Sequence, residues 1–410
     1  MNYPKILIIN CSFNYKEGSG ILISNLFYNW PKDKIANASL DIFVDLEKCI
    51  NYYQLNEGVF NISDNNENIK VPILDKNKKR NIFSQSLIGI KNFLELFGFY
   101  NKIIIDNNFI NWIKDFKPEY IYIVPYTYKD IYFINKMIKI FNIPIIMHIY
   151  DDWIYHNRNG IFNFIIGPIS RYKFSKLYKK TSINLCISEK MSEVYEKRYG
   201  KKSYTFHNPV NLNIWNINKQ INYQKDIFNI VFIGTVGEHN FKEIMLLIQV
   251  VNKIPHNIVI NLYGSIRKKY LYDELLKEKN ININGLIDHD DVPNVLNQAD
   301  ILFLPMSFNK KQRNYIRYSM PTKFTEYLAT QKPILVFAPR NFAITEYVIK
   351  YDCAYLVSEF NENLLYNVLS NIMENKDDKK IKNAINLVQK KHTIETVQKK
   401  FIDLILDKQI

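Results

Sequence analysis

Cysteine, glycine and long apolar runs are all scarce in this chain. Its four cysteines, Cys11, Cys49, Cys186 and Cys353, lie far apart and form no metal-binding pair, which indicates a reducing compartment. No apolar run approaches the roughly 20 residues of a membrane-spanning helix, and no charged region precedes a signal-peptide core. We therefore expect a cytoplasmic location and only peripheral contact with a membrane, at its inner face.

The composition is that of a globular protein with a positive charge. Hydrophobic residues make up 47% and charged residues 23% of the 410 residues, which argues against wholesale disorder. One hydrophobic core stops growing below this length, so we expect two domains. The net charge of +14 favours a nucleotide sugar, an acidic membrane surface or nucleic acid as partner. Abundant Asn, Ile and Lys beside only 12 glycines are typical of coding bias, which weakens arguments from charge.

The segment SMPTKFTEYLATQKPILVFA, which begins at Ser319, combines a turn, a helix and a buried strand. Pro321 fixes φ and has no N–H to lose, so it suits a first helical turn that Ser319 or Thr322 would cap. Free amides at this helix start, together with Lys323, would bind a phosphate. Glu326, one turn on, can accept hydrogen bonds from the hydroxyls of a ribose. The alternative is an ordinary amphipathic helix with solvated Lys and Glu side chains.

These residues resemble the donor-nucleotide segment of GT-B-fold glycosyltransferases of family 4, the glycosyl transferases of group 1. Members of that family often read P-x-K-x-x-E-Y-L-A, then a short turn and K-P-hydrophobic. The resemblance implies that Glu326 holds the ribose of a nucleotide sugar. It also implies that the diphosphate lies against the preceding residues Ser319, Met320, Pro321, Thr322 and Lys323.

Short strand and helix patterns alternate along the chain, which predicts parallel sheets with helical crossovers. Strand patterns occur at residues 5–10, 120–124, 144–149, 228–234, 257–263, 281–284, 301–304, 334–337 and 354–357. Helical patterns lie between them, for example at 111–116 and 131–141, and Lys-rich helical patterns cover 366–390 and 392–406. The predicted fold class is α/β.

The resemblance implies two Rossmann-like domains that face an interdomain cleft, the GT-B arrangement. We place an amino-terminal acceptor-binding domain at 1–208, a linker at 209–227 and a nucleotide-sugar-binding domain at 228–388. In GT-B enzymes the last helix crosses back to the first domain, and residues 389–410 are the segment to which the resemblance gives this role.

A small loop follows the first strand pattern. Gly18, Ser19 and Gly20 would let the backbone approach a ligand, because glycine leaves main-chain amides accessible. Ile23 stands where a dinucleotide fingerprint requires glycine, so that motif is incomplete. Family 4 enzymes often have a glycine-rich loop here, facing donor phosphates or acceptor. The alternative is a simple turn.

Ionisable residues cluster at the end of the strand pattern at 144–149. His148, Asp151 and Asp152 would emerge where an α/β cleft opens, so we assign them as candidate catalytic residues. The family often has a His-Asp pair here, whereas this chain has Asp151 and Asp152. If Asp151 replaces the histidine that contacts the donor sugar, the donor chemistry or the recognised hydroxyl differs from the commoner pattern. Adjacent strand residues point to opposite faces and GT-B enzymes generally need no metal, so we expect none. A packed strand histidine is the alternative for His148.

A second loop, at Gly234, matches the placement of the family's G-R-…-K loop. There an Arg and a Lys neutralise the leaving diphosphate, whereas this chain has Thr235 in place of the Arg. Lys242 fits the Lys only approximately, and its alternative is a solvated helix charge. Lys323, which is also a catalytic candidate, Arg317 or Arg313 would then compensate.

The run RNYIR, from Arg313 to Arg317, adds positive charge before the donor segment. The commoner form of the family has a Glu eight residues before the ribose Glu, and Tyr318 occupies that position here. The identity of the sugar therefore cannot be inferred from the resemblance.

Residues 76–102 and 158–180 combine aromatic residues with Lys and Arg. Both segments are compatible with an anionic bilayer surface. The alternative is amphipathic helices packed on a sheet, with basic outer faces. Nucleic acid is disfavoured because no recognised binding motif accompanies the charge.

These observations predict a glycosyltransferase that moves a sugar from a nucleotide sugar to a hydroxyl of a glycan or lipid-linked acceptor. By resemblance it retains anomeric configuration and needs no cofactor and no metal. Two alternatives stay open: a nucleotide-sugar epimerase of the same fold, and a non-catalytic, membrane-associated partner of a transferase.

Overall fold

The protein was analysed as a computed structural model. It describes residues 3–15, 18–40, 45, 47–58, 82–156, 163–215, 227–374 and 378–407, with only the backbone of 58, 82–86 and 311. Most of the predicted linker, at 216–226, lies outside the described residues, as do 76–81 and 158–162 of the two basic segments.

The described strands and helices alternate as predicted. The strands are β1 Ile6–Ile9, β2 Ile35–Ser39, β3 Asn51–Gln54, β4 Glu57–Gly58, β5 Lys102–Ile103, β6 Tyr120–Ile123, β7 Ile145–Ile149, β8 Ile183–Cys186, β9 Tyr204–Thr205, β10 Phe228–Ile233, β11 Ile258–Tyr263, β12 Ile281–Gly285, β13 Ile301–Pro305, β14 Ile334–Phe337 and β15 Tyr355–Val357. The helices are α1 Gly18–Leu26, α2 Ile82–Phe97, α3 Asn107–Phe116, α4 Tyr128–Ile140, α5 Asn163–Lys180, α6 Glu189–Tyr199, α7 Leu212–Trp215, α8 Phe241–Val251, α9 Lys269–Leu275, α10 Val292–Asn297, α11 Lys310–Ile316, α12 Thr322–Ala329, α13 Ala343–Tyr351, α14 Glu362–Glu374, α15 Asp378–Lys391 and α16 Ile394–Leu406.

The first sheet has the order β3-β2-β1-β6-β7-β8-β9 in the part of the chain that the structure describes. Its pairs from β3 to β7 are parallel, and Ile6 of β1 pairs with both Ile35 and Tyr120. Strands β1, β2, β6, β7 and β8 are buried throughout, as expected of a parallel sheet covered on both faces. The strand order reverses between β1 and β6, where open α/β sheets bind ligands.

The second sheet, parallel throughout, has the order β12-β11-β10-β13-β14-β15, with its reversal between β10 and β13. Apolar side chains from these strands pack with those of α8 and α14 in one core that includes Phe232, Leu247, Phe303, Leu335 and Leu369. A ligand site is therefore expected beyond the carboxyl ends of β10 and β13.

Two compact units divide the chain. The first comprises Met1–Phe13, Asn29–Leu185 and Glu193–Tyr204, and the second comprises Asn14–Tyr28, Cys186–Ser192 and Thr205–Ile410. The second unit includes α1, whereas the sequence predicted one boundary near residue 208. The cleft predicted between two domains stays a prediction.

The last helix, α16, packs on the first helix, α1. The rings of Phe27 and Phe401 meet edge to face with centroids 5.8 Å apart. The side-chain amide of Gln398 donates to the backbone oxygen of Leu26 at 2.9 Å. Among the described residues, no helix has both the length and the apolar character needed to cross a bilayer.

Candidate functional site

Helix α12 begins at the predicted place. Pro321 is its N-cap, with φ −59° and ψ 132°, but no side chain caps the helix. The predicted cap by Ser319 or Thr322 is therefore wrong, and the hydroxyl of Ser319 donates to the backbone oxygen of Tyr315 at 3.5 Å. Because a fixed proline φ already suits a helix start, the turn forms with Pro321 as its N-cap.

Lys323 is directed at the end of β10. Its Nζ donates to the backbone oxygen of Ile233 at 2.8 Å and lies 4.6 Å from the ring centre of Phe232. Burial lowers the pKa of Lys323 to about 8. The ammonium group is thus held at the switch point of the second sheet, close to the start of α12.

Gly234 makes room for Lys323. Its φ of 146° is unfavourable for a residue with a side chain, and a Cβ there would lie 2.1 Å from the lysine Nζ. The next strand approaches equally closely, because a Cβ on Gly264 would lie 2.3 Å from the backbone oxygen of Gly234. The structure therefore brings Gly234 and Lys323 together, and their role toward a donor stays a prediction.

Glu326 is buried one turn after Lys323, with 6% of its surface exposed. Its Oε1 has no hydrogen-bond partner among the described residues. Burial raises the pKa of Glu326 to about 8, and the Lys323 charge opposes this shift. An unsatisfied buried acceptor costs about 1–3 kcal/mol, so this oxygen is suited to a ligand donor such as a hydroxyl.

Tyr327 fixes the position of α12 against the second sheet. Its hydroxyl accepts a hydrogen bond from the Ile233 amide at 3.1 Å. Lys323 contacts the same residue from one turn earlier. Two contacts from one helix face thus hold the start of α12 on the end of β10, which orients Glu326 as well.

The predicted glycine loop lies beside α12. A Cβ on Gly18 would be 3.2 Å from the Thr322 hydroxyl, so the beginnings of α1 and α12 are adjacent. Position 20 requires a glycine because a Cβ there would lie 2.4 Å from the Asn14 side chain. Ser19, half-buried, stands between the two glycines in the first turn of α1. The loop and the donor segment therefore form one neighbourhood within the second unit.

Buried asparagines, which the sequence analysis missed, join these helices. The side chain of Asn208 donates to the backbone oxygen of Thr322 at 3.3 Å. The side chain of Asn25, on α1, donates to Asn208 Oδ1 at 3.3 Å and to the Pro209 oxygen at 2.9 Å. Each contact joins residues distant in sequence, so no local pattern could have revealed them.

Side-chain hydrogen bonds join residues of the loop after Gly234. The side chain of Asn240 donates to the Thr235 oxygen at 3.0 Å and accepts from the Gly237 amide at 2.9 Å. The hydroxyl groups of Thr235 and Ser265 lie 3.2 Å apart. Lys242 is exposed in the first turn of α8 and makes no ion pair with the described residues. Its predicted contact with a donor stays a prediction.

The arginines before α12 differ in their contacts. The Nε of Arg317 donates to the backbone oxygen of Asn341 at 3.1 Å, and its guanidinium lies 5.3 Å from the ring centre of Tyr318. Arg313 lies in α11, half-buried. Met320 is buried directly before Pro321. Arg317 therefore supports the turn that precedes α12, and its role toward a donor stays a prediction.

The catalytic candidates of the first sheet have structural partners. His148 is fully buried, and its Nδ1 lies 2.5 Å from the Tyr122 hydroxyl. Asp152 accepts two hydrogen bonds from Arg198, at 2.8 and 3.1 Å, and one from Tyr195 at 2.8 Å. These contacts account for both side chains through packing and give their predicted catalytic roles no support.

Asp151 differs from Asp152 in that it is half-buried at the end of β7. No cluster of three His, Cys, Asp or Glu side chains suited to a metal occurs in the part of the chain that the structure describes. The absence of a metal requirement stays a prediction.

Apolar side chains are exposed on two packed helices of the first unit, α2 and α5. Phe164 and Tyr172 of α5 are 74% and 61% exposed, and Leu87 and Ile90 of α2 are also exposed. Basic residues accompany them, and the Nζ of Lys173 lies 3.5 Å from the ring centre of Phe97. The predicted amphipathic segments are therefore helices with mixed apolar and basic outer surfaces.

A protein-family comparison matches part of the second unit. Residues 227–375 match the family described as glycosyl transferases group 1. The match spans the second sheet and includes α8 and α12, which hold the candidate site. The resemblance predicted from the donor segment is confirmed. A search of curated protein sequences gives no match.

Solved structures share the fold over nearly the whole chain. Anabaena Alr3699/HepE, in complex with UDP and glucose, is 12% identical, with a TM-score of 0.66 and coverage of 98% of this chain and 100% of that one. A sucrose-phosphate synthase of Thermosynechococcus elongatus is 13% identical, with a TM-score of 0.64 and 98% coverage of both chains. WaaG, a glycosyltransferase involved in lipopolysaccharide biosynthesis, is 10% identical, with a TM-score of 0.56 and coverage of 96% and 98%. The predicted fold with two Rossmann-like domains is confirmed.

Proposed function

We propose that this chain, whose residues 227–375 match the glycosyl transferases of group 1 and whose fold is that of GT-B glycosyltransferases, moves a sugar from a nucleotide-sugar donor to a hydroxyl of a glycan or glycolipid. The HepE structures contain UDP, glucose or UDP-glucose, which supports a nucleotide donor for a chain with the same fold.

The buried carboxylate of Glu326 carries this proposal. Its unsatisfied Oε1 needs a donor, and the hydroxyls of a ribose supply donors of the right kind. Lys323 and the uncapped first turn of α12 lie next to it, and both favour the negative charge of a diphosphate. In the transition state the diphosphate leaves as an anion, and these fixed positive groups stabilise the charge that develops.

Calorimetric titration with UDP, GDP and ADP tests the proposal. The protein should bind one of these nucleotides, and Glu326→Gln should weaken that binding about tenfold to hundredfold, because an amide group replaces one of the two carboxyl oxygens. Glu374→Gln, on the exposed face of α14, is the matched control and should bind normally. Equal affinities of the wild type and Glu326→Gln would contradict the assignment.

Turnover assays with the matching nucleotide sugar define the reaction. We expect transfer with retention of anomeric configuration and full activity after treatment with EDTA, as the resemblance to GT-B enzymes implies. Proton NMR of the product reports the anomer. Release of free sugar without any acceptor would indicate the epimerase instead, and absence of all nucleotide binding would indicate a non-catalytic partner.

The acceptor side of the proposal is a lipid-linked or membrane-proximal glycan. The exposed aromatic residues Phe164 and Tyr172 on α5, flanked by Lys173, Lys176 and Arg171, match an anionic bilayer in both polarity and charge. WaaG, whose fold this chain shares, is involved in lipopolysaccharide biosynthesis. We expect peripheral attachment through this surface.

A further inference from the structure

Two loops run side by side past the ends of β10 and β11. The Val236 amide donates to the Ser265 oxygen at 2.9 Å, and the Arg267 amide donates to the Val236 oxygen at 3.0 Å. Val236 and Ile266 form a parallel bridge beyond the regular strands. The backbone of Arg267 is therefore held beside the loop that follows Gly234.

Basic side chains from three elements converge on this loop. At Gly237 a Cβ would lie 2.8 Å from the His239 Nδ1 and 3.5 Å from the Arg267 Cδ. At Gly234 a Cβ would lie 2.1 Å from the Lys323 Nζ. Arg267, His239 and Lys323 thus surround a short stretch of glycine-containing backbone at the switch point of the second sheet.

Apart from Glu326, which acts on Lys323, the carboxylates on the loop after β10 and at the start of α8 have other partners. Glu238 is engaged by Lys268 and by Tyr270, at 2.5 and 2.6 Å. Glu243 accepts a hydrogen bond from the Phe308 amide at 2.7 Å. Arg267 is exposed and forms no ion pair with any residue that the structure describes. The group is therefore suited to an anion.

The positive charges of Arg267 and Lys323 both act on the imidazole of His239. Burial lowers the pKa of His239, the positive charges of Arg267 and Lys323 act in the same direction, and together they bring it to about 4. The imidazole is consequently neutral at pH 7, with one N–H to donate. A bound anion between these side chains would offset the two neighbouring charges.

We propose that Arg267, assisted by His239, binds the diphosphate of the nucleotide donor. This inference rests on the proposed function. An arginine fork matches the oxygens of a phosphate in two parallel hydrogen bonds, which suits it to a leaving diphosphate. Arg267 lies on the loop after β11, and the bridge between Val236 and Ile266 holds that loop beside the loop after β10.

The test compares Arg267→Ala with Lys269→Ala, which removes the same charge two residues further on. Titrations use pyrophosphate and the nucleoside mono- and diphosphates of the base that the protein prefers. Arg267→Ala should weaken diphosphate binding about tenfold or more and reduce the preference for diphosphate over monophosphate, whereas Lys269→Ala should change neither. Unchanged melting temperatures exclude misfolding.

Each result separates this inference from the proposed function. If nucleotides bind and Arg267→Ala keeps the full diphosphate preference, the role of Arg267 is overturned while the donor site stands. If only pyrophosphate binds, in an Arg267-dependent way, the anion site stands and the nucleotide-sugar proposal fails. If neither pyrophosphate nor nucleotide binds, both fail.

Proton uptake provides a second readout that a purely structural role would not produce. A phosphate beside His239 raises its pKa, so diphosphate binding at pH 6 should take up a fraction of a proton. The charged groups that face this imidazole are Arg267 and Lys323, with Glu326 one turn beyond the lysine. Titrations in buffers of different ionisation enthalpy measure the uptake, which His239→Gln should abolish. Equal uptake by the wild type and His239→Gln would exclude His239 from the phosphate site.

Discussion

Lys323 donates its hydrogen bond to the backbone oxygen of Ile233, at 2.8 Å, and not to Glu326, which lies one turn further along the same helix. The carboxylate is left buried, with an unsatisfied oxygen. This separation keeps both groups available to a ligand, and it makes the site costly to maintain when no ligand is bound.

Stability should fall as the pH rises, because of Glu326. Burial raises its folded pKa to about 8, from 4.5 in a model compound, so its contribution is complete below pH 4.5 and is lost as the pH rises through 8. Glu326→Gln should remove this dependence. We expect the variant to gain roughly 2 to 4 kcal/mol over the wild type between pH 5 and pH 9.

Urea unfolding at several pH values measures that difference. The pKa of Lys323 shifts in the opposite direction, because burial lowers it to about 8. The contribution of Lys323 to stability is therefore complete above pH 10.5 and is lost as the pH falls through about 8. Parallel pH profiles of the wild type and Glu326→Gln would show that the carboxyl group is not destabilised by burial.

Gly234→Ala should disrupt the donor site through Lys323. The new Cβ would lie 2.1 Å from the lysine Nζ at a backbone φ of 146°, so the side chain must move. We expect a loss of about 2 kcal/mol or more in stability, together with weakened nucleotide binding. Gly200→Ala is the control, since its φ is 64° and no atom lies within 4 Å of its Cβ position.

The control variant, Gly200→Ala, should lose about 1 kcal/mol in stability and bind nucleotide normally. Thermal melts and nucleotide titrations of both variants give the comparison. Normal binding by Gly234→Ala would mean that Lys323 does not need its present position.

Asp152 and Arg198 should behave as a buried structural pair. Asp152→Asn leaves the guanidinium without its two carboxylate bonds, so we expect a loss of about 3–5 kcal/mol in stability. Asp152→Leu combined with Arg198→Met should recover part of it, because no unpaired charge remains. Nucleotide affinity should not change in either variant, and denaturant unfolding with nucleotide titration checks both expectations. A stable Asp152→Asn protein that binds donor but does not turn over would restore the catalytic role.

The aromatic surface of α5 should attach the protein to anionic bilayers. Phe164→Ser with Tyr172→Ser removes two of its exposed rings, and co-sedimentation with vesicles containing phosphatidylglycerol should fall about tenfold. Leu286→Ser is the control, because Leu286 is 80% exposed on the second unit. Equal sedimentation of all three proteins, or none for the wild type, would contradict attachment through α5.

Much of the sheet order could be predicted because the strands are short apolar runs. Strands β10, β13 and β14 match their patterns almost residue for residue, since burial on both faces requires continuous apolar residues. Strands β2 and β8 were not predicted, because each carries a fully buried asparagine. Asn37 donates to the backbone oxygens of Ile8 and Cys11, at 3.2 and 2.7 Å, and Asn184 to that of Tyr178 at 3.1 Å. A polar residue satisfied inside the core has the same sequence signature as one in a loop.

The sequence by itself determined the α/β class, the position of α12 and the choice of Glu326 as a candidate ligand for the ribose. Strand runs, a helix-starting proline and a motif within one helix are local features. The tertiary structure decided which distant residues meet them: Gly18 and Asn208 at Thr322, and Arg267 beside His239. It also assigned His148 and Asp152 to packing partners. Such contacts depend on strand order and loop register, and no short stretch of sequence contains that information.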